Sequence, residues 1–296
     1  MPQTIDELEI LSIEKWTALQ STYGSKIQPW VDAFQERRGK GEKHPVHDFL
    51  FHYYQCKRRL ITEWHPPFGV ILDGEQAGLF LKDAVYSQNE TGVFIDRSKL
   101  TENVASRIDW IVQLIENART RRSLHRCFGL HEWAMIFKGE CIRHEDTPLR
   151  LSPKEIERVI ESQTIRCSHY DAFRFFTEAA RPLNKIQPQS EDRFVNEQFG
   201  CVHFNMDLFK WCYKLNPWIS SELTLNCFLL AVEARELDMR ASPYDLSAFG
   251  YDPIKIETPE GREAYQTLQK QMEEEGRRLA AIFLEECCKV IHPTGH

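Results

Sequence analysis

The chain has 296 residues, 42% of them hydrophobic and 27% charged, with a formal net charge of −7. Such a length suits one large domain or two small ones, and the composition is that of an ordinary soluble globular protein. The acidic balance argues against a surface built as a whole to grip a polyanion. A local basic patch at Arg119, Arg121, Arg122 and Arg126 stays open, as a nucleic-acid contact or as a solvated helix end.

The first elements read as two short helices over residues 5–36, broken near Tyr23-Gly24-Ser25. A charged connector follows at 37–43. His47 to Ile61 returns to a helical pattern that the prolines of Trp64-His65-Pro66-Pro67 stop. PFGVILDG and TGVFIDRS are short, β-branched strand candidates, which places a small β element near residues 68–96. Thr101 to Arg121 carries Val104, Ile108, Ile111, Val112 and Ile115 at helical spacing. WAMIFKGECIRHE is open between a strand and an irregular connection.

Ser152-Pro153 with Glu155 has the form of a capping box. Ser168 with Asp171 has the same form, and its helix should run to Arg181-Pro182. Residues 183–200 read as loop. Met206 to Leu215 and Ser221 to Met239 read as helices, and Thr258-Pro259 opens a last one through about Ile291. These elements predict a mainly α fold, a helical single domain with one small β element. Residues 1–43 form an N-terminal helical segment and 44–296 the main helical domain, or the two are continuous.

Nine cysteines occur with no C-x-x-C pair. The opening residues do not read as a secretion signal, and no apolar run reaches the roughly 18 residues of a membrane span. Reduced thiols and a cytoplasmic location, with no membrane partner, are the expectation.

Five constellations can carry chemistry. His44, His47, Asp48 and His52 include an i,i+4 His–carboxylate pair, suited to a metal, to acid–base work or to a plain helix start. His131-Glu132 is not a zinc-protease motif, because Met135 stands where a second histidine is needed. Adjacent helical residues diverge, so a regular helix would keep His131 and Glu132 out of one site. Arg166, Ser168, His169, Tyr170 and Asp171 cluster at an expected helix start, where backbone N–H groups attract anions. His203 and Asp207 are again i,i+4, and Asp207–Lys210 can be a plain ion pair. Glu233, Arg235, Glu236, Asp238 and Arg240 form either a solvated face or one wall of a site that continues into Tyr244. No phosphate-binding glycine loop or nucleophile elbow is present.

At HPVHDFLFHYY, LHEWAMIF, RCSHYDAFRFFTEAARPLN, NMDLFKWCYKLNPW and ARELDMRASPYDL the chain resembles a bacterial family commonly labelled 3-methyladenine DNA glycosylase. The resemblance runs from about residue 44 to 265. It implies hydrolysis of an N-glycosidic bond in a nucleobase- or nucleotide-like substrate, as in DNA repair, with no cofactor required. The helix-hairpin-helix with a Gly-rich turn that helical DNA glycosylases commonly carry is not evident in the sequence.

The leading expectation is therefore an N-glycosidase with a carboxylate in an aromatic-lined helical pocket. Asp171, His169, Asp207, Glu233 and Asp238 are the catalytic candidates. Arg166, Ser168, Tyr170, Trp211, Arg240 and Tyr244 are the substrate-binding ones. The alternative is a non-haem metal enzyme using iron or zinc, with His131, His169, His203 and Asp207 as ligands. A third reading is a non-catalytic ligand-binding protein. His169, Asp171, His203, Asp207, Glu233, Glu236, Asp238 and Arg240 are expected to converge on one pocket, with Arg166 and Arg240 holding carboxylates or a bound anion.

Overall fold

The structure is a computed structural model and describes residues 8–139, 144 and 146–292. It is mainly helical with one small sheet, as the sequence patterns predict. Strands β1 (Glu9–Leu11), β2 (Val70–Leu72), β3 (Tyr86–Gln88) and β4 (Val93–Ile95) lie in the order β1-β2-β4-β3. β1 pairs parallel to β2, and the other pairings are antiparallel.

The helices are α1 (Ile13–Lys40), α2 (Asp48–Tyr53), α3 (Arg58–Thr62), α4 (Glu102–Thr120), α5 (Leu130–Ala134) and α6 (Pro153–Ser162). They continue with α7 (Tyr170–Phe173), α8 (Arg193–Asn196), α9 (Val202–Lys214), α10 (Ser221–Arg240) and α11 (Pro259–Ile291). No helix of the described residues is long and apolar enough to cross a membrane. The eight described cysteines are all free thiols, and Cys141 lies outside the described residues.

Several boundaries differ from expectation. Residues 9–11 add an edge strand to the sheet instead of starting a helix. The expected break at Tyr23-Gly24-Ser25 is absent, and α1 is one continuous helix. Trp16, Tyr23, Ile27 and Val31 are buried along one of its faces. The Tyr23 hydroxyl donates to the Ile61 carbonyl, so tertiary packing overrides the weak helix propensity of Gly24. The helix expected from Ser168 to Arg181 is only the turn Tyr170–Phe173, with His169 and not Ser168 at its N-cap. WAMIFKGECIRHE begins in the short helix α5, while residues 140–143 and 145 lie outside the described residues. The capping box at Ser152 and Glu155 forms as expected.

Helices α9, α10 and α11 pack on one another at the centre, with α1 and α2 against α10 and α4 against α11. α10 is buried on nearly every side, from Ser221 to Met239. A helix apolar all round belongs in a core, so a charged residue on it must find its partner there. α11 crosses α9 closely at Gly276, where a Cβ would fall 1.8 Å from Asn205 Oδ1. Asn205 Nδ2 donates to the Phe199 and Cys201 carbonyls at 2.8 and 2.9 Å. Gly276 thus leaves room for the amide that fixes the backbone just before His203.

The sheet meets α10 at His65. Its backbone N–H donates to Ser221 Oγ, its ring Nδ1 lies 2.8 Å from the Tyr86 hydroxyl, and its Nε2 is buried without a partner. Burial holds this imidazole neutral, its pKa pushed down to about 4. An unfolded histidine titrates near 6.5. Between those values the unfolded chain binds one more proton than the folded one. The contribution is whole above pH 6.5 and is lost as pH falls toward 4. By pH 5 the loss is about 2 kcal/mol. Urea unfolding at pH 7 and pH 5 should show His65→Asn losing less stability over that interval than the parent chain, by about that amount. Equal losses in both would refute a neutral buried His65.

Candidate functional site

Two buried clusters of opposite charges occupy the helical core, and one histidine joins them. The first is built by α5 and α10. Gly129 takes the left-handed backbone, φ 69°, that turns the chain into α5. A Cβ there would be strained and would also press to 3.1 Å on the Ala241 side chain. This turn sets His131 and Glu132 against α10.

His131 Nε2 lies 2.6 Å from Asp238 Oδ1. Arg235 Nη1 donates to Glu132 Oε1 at 2.7 Å and to Asp238 Oδ2 at 2.9 Å. Arg235 and Asp238 are i,i+3 neighbours on α10, so one guanidinium reaches both carboxylates. Its other face covers the Phe49 ring at 4.0 Å, and its Nη2 lies 3.3 Å from His144 Nε2. Glu132, Arg235 and Asp238 are 3%, 1% and 0% exposed. Burial opposes ionisation of the two carboxylates. Arg235 overcomes it at Glu132, and His131 does so at Asp238, leaving both acids below their usual range.

His203, in the first turn of α9, is the joint. Its ring meets His131 edge-on at 4.5 Å between centroids and stacks on His169 at 5.3 Å. Its Nε2 lies 4.0 Å from Asp238 Oδ2, and its Nδ1 is buried with no hydrogen-bond partner among the described residues. Burial, then the neighbouring His131, drives its pKa well below the usual histidine value, so it is a neutral ligand-type imidazole.

The second cluster surrounds His169. Nδ1 lies 2.6 Å from Glu197 Oε2, and Nε2 is 3.9 Å from Asp207 Oδ2. Asp207 also accepts from the Tyr54 hydroxyl at 3.0 Å and pairs with Lys210. Asp171 Oδ2 pairs with Arg193 at 2.8 Å. Burial alone would depress the His169 pKa, but Glu197 and then Asp207 raise it.

The expected convergence is thus met in part. His131, His169, Asp171, His203, Asp207 and Asp238 come together. Glu233 is exposed on the far side of α10. Glu236 turns instead to His47 at 3.2 Å and to the Tyr251 hydroxyl. Arg240 donates to the Asp252 carbonyl and not to a carboxylate of the site. Arg166 is exposed. The 100° step of a helix explains the split: positions 235 and 238 face the core, and 233, 236 and 240 do not. Ser168 lies beside Gln198, 3.5 Å away, and does not cap a helix. Tyr170 lies under the Arg193 guanidinium, and Tyr244 is buried beside His144. Asp48 pairs with Arg37 and accepts from the His44 N–H, while His52 packs on Phe34.

Sequence reasoning missed Glu132, Glu197, Arg193, Tyr54 and the inward role of Arg235. His131 and Glu132 do share one site, against expectation, because Arg235 bridges from Asp238 to Glu132 across the short helix. No local signal separates Arg235 from its exposed neighbour Glu233, since only the burial of α10 in the fold does so.

A narrow cleft of about 10 Å³ reaches this core between Phe49, Tyr53, Glu132, Met135, Asp171, Ala172, Phe175 and His203. That is room for about one water molecule. Beside it opens a cavity of about 560 Å³ lined by Tyr53, Tyr54, Gln55, Arg107, Trp110, Ile111, Asp171, Arg174, Arg193, Lys210, Trp211 and Lys214. Asp171 and Tyr53 line both spaces.

The fold and the site together define a mainly helical protein with a buried histidine–carboxylate centre. Compared with known proteins, the chain matches no family model, no curated protein and no solved structure.

Proposed function

We propose that the chain is a metal-dependent enzyme whose His131, His203 and Asp238 hold a divalent ion, zinc or iron(II). One observation carries the reading: ligand atoms of these three buried residues lie within 4.8 Å of one another. A tetrahedral ion with bonds of 2.0–2.1 Å separates its ligand atoms by roughly 3.3 Å. His131 Nε2 lies 2.6 Å from Asp238 Oδ1 and His203 Nε2 4.0 Å from Asp238 Oδ2, spacings on either side of that distance.

The donor chemistry fits. Two imidazoles and a carboxylate suit zinc or iron(II). The buried Nδ1 of His203 and Oε2 of Glu132, neither with a partner among the described residues, leave polar capacity in the same place. Arg235 donates to Asp238 Oδ2, the kind of contact that orients a ligand carboxylate. When bound, such an ion supplies Lewis acidity and lowers the pKa of a coordinated water. Glu132 and Asp171 line the cleft that leads to His203, each held as a carboxylate by a guanidinium, so each can accept a hydrogen bond from a water or substrate hydroxyl there.

The purified protein should carry close to one zinc or iron per chain by elemental analysis. His203→Ala and Asp238→Asn should each lower metal affinity by at least about 100-fold, the scale of losing an outer-shell partner or more. Protein that arrives metal-free and takes up neither added zinc nor added iron(II) would exclude the reading.

A second reading is a metal-free N-glycosidase. The observation favouring it is Asp171, ionised by Arg193 and placed between Tyr53 and Phe175 at the cleft, where a carboxylate can stabilise an oxocarbenium ion. Base release from nucleosides or methylated DNA that survives chelation and fails in Asp171→Asn would favour it over the metal reading.

A further inference from the structure

The cavity of about 560 Å³ beside the buried centre has an unbalanced charge and flat walls. Five cations and one carboxylate line it. Three of the cations are engaged: Arg193 with Asp171, Lys210 with Asp207, and Arg174 with Asp171 at 3.6 Å. Arg107 and Lys214 are not. Among the described residues neither forms an ion pair, and the only protein acceptor near Arg107 is the Lys214 carbonyl at 3.4 Å.

Lys214 and Arg107 are both exposed at the cavity mouth, and the Lys214 ammonium is held below its ordinary pKa by partial desolvation, then by Lys210 and Arg107. A folded chain gains no stability from gathering like charges around one cavity, since they repel. The net charge of −7 makes the concentration of cations here more pointed. The walls are aromatic. Trp211 and Tyr54 flank Lys210 at 5.6 and 5.9 Å from its ammonium, and Trp110 and Tyr53 also line the cavity.

We infer that this cavity binds a small phosphate monoester carried on a flat ring, the phosphate on Arg107 and Lys214 and the ring against the aromatic walls. A guanidinium and an ammonium side by side suit a dianionic phosphate, which accepts several charge-assisted hydrogen bonds. An aromatic wall stacks any flat ring without reading its edge. The volume lies within the usual range for a small-molecule pocket, roughly 300–1,000 Å³. The shared lining at Asp171 and Tyr53 points the bound molecule toward the cleft at His203. That last step, which makes the ligand a substrate, rests on the reading of the centre as reactive; binding itself does not.

The test is calorimetric titration of the metal-loaded or as-purified protein with the four ribonucleoside monophosphates and their parent nucleosides. At least one monophosphate should bind, and at least about 10-fold more tightly than its nucleoside, the scale of losing charged hydrogen bonds. Arg107→Ala and Lys214→Ala should each weaken it by at least that factor, and Trp110→Ala should weaken monophosphate and nucleoside alike. Metal content should stay at the parent level in all three variants. Monophosphates that bind no better than nucleosides, or unchanged affinity in Arg107→Ala and Lys214→Ala, would overturn the inference while leaving the metal reading standing. So would a single-stranded oligonucleotide that binds with a steep salt dependence when no monophosphate does. Protein that takes up neither zinc nor iron(II) yet binds a monophosphate through Arg107 and Lys214 would sink the proposed metal centre and keep the anion site.

Discussion

Arg235→Met is expected to lower the unfolding free energy by about 3–5 kcal/mol, the scale of breaking a buried ion pair from one side. The Arg235 side chain is 1% exposed and holds two carboxylates that are also buried, Glu132 at 2.7 Å and Asp238 at 2.9 Å. Methionine keeps much of the length and the contact with Phe49 but carries no charge. It leaves two buried carboxylates without the guanidinium that balances them. The chain can answer by unfolding or by protonating a carboxylate, and either shows in the data. Urea unfolding at pH 7 should give a much lower midpoint in the variant, and part of the loss should return on going to pH 5, where a buried acid is more readily neutralised. Glu132→Gln in the Arg235→Met background should recover part of the loss as well, because it removes one of the two stranded charges. A variant as stable as the parent at pH 7 would mean that Arg235 is not needed to balance this core.

That network also shows where reading the sequence stops. The long helices were legible because their information is local. Thr101 and Thr258 accept hydrogen bonds at helix starts, Ser152 and Glu155 form a capping box, and the apolar positions of α4 repeat at helical spacing. The strands near 68–96 were legible from β-branched runs between turns. The edge strand at Glu9–Leu11 was not, because it exists only through pairing with Val70–Leu72 some sixty residues later.

The site followed the same division. His131, His169, His203, Asp207 and Asp238 stood out as costly residues among apolar neighbours. Their partners did not: Glu197 sits in a polar stretch that reads as loop, and Tyr54 reaches Asp207 across 153 positions. On α10 the residues Glu233, Arg235, Glu236, Asp238 and Arg240 look alike in sequence. Only the burial of both sides of the helix separates 235 and 238 from the rest. The cavity at Arg107 and Lys214 had no local signature, since α4 and α9 bring its cations together from 107 positions apart.

The stability of the metal-free protein is expected to fall as pH rises above about 6.5, with a slope that His169→Gln abolishes. In the fold His169 lies between Glu197 and Asp207 and keeps its proton to a higher pH than a free imidazole. Below pH 6.5 the folded and unfolded chains are both protonated at this residue, and the stabilisation is whole. Above it the unfolded chain gives up the proton first. Stability then declines by about 1.4 kcal/mol for each pH unit until the folded residue also titrates, and levels off beyond that point. The window lies on the opposite side of pH 6.5 from that of His65, so the two histidines can be separated in one experiment. Urea unfolding in a chelator at pH 6, 7, 8 and 9 should show the parent chain falling relative to His169→Gln over the first part of this range. Glu197→Gln should flatten the slope too, because it removes the largest support for the charged imidazole. Parallel profiles for the parent and His169→Gln from pH 6 to 9 would show that His169 is already neutral in the fold. The charge balance of the second cluster would then need a cation other than a proton.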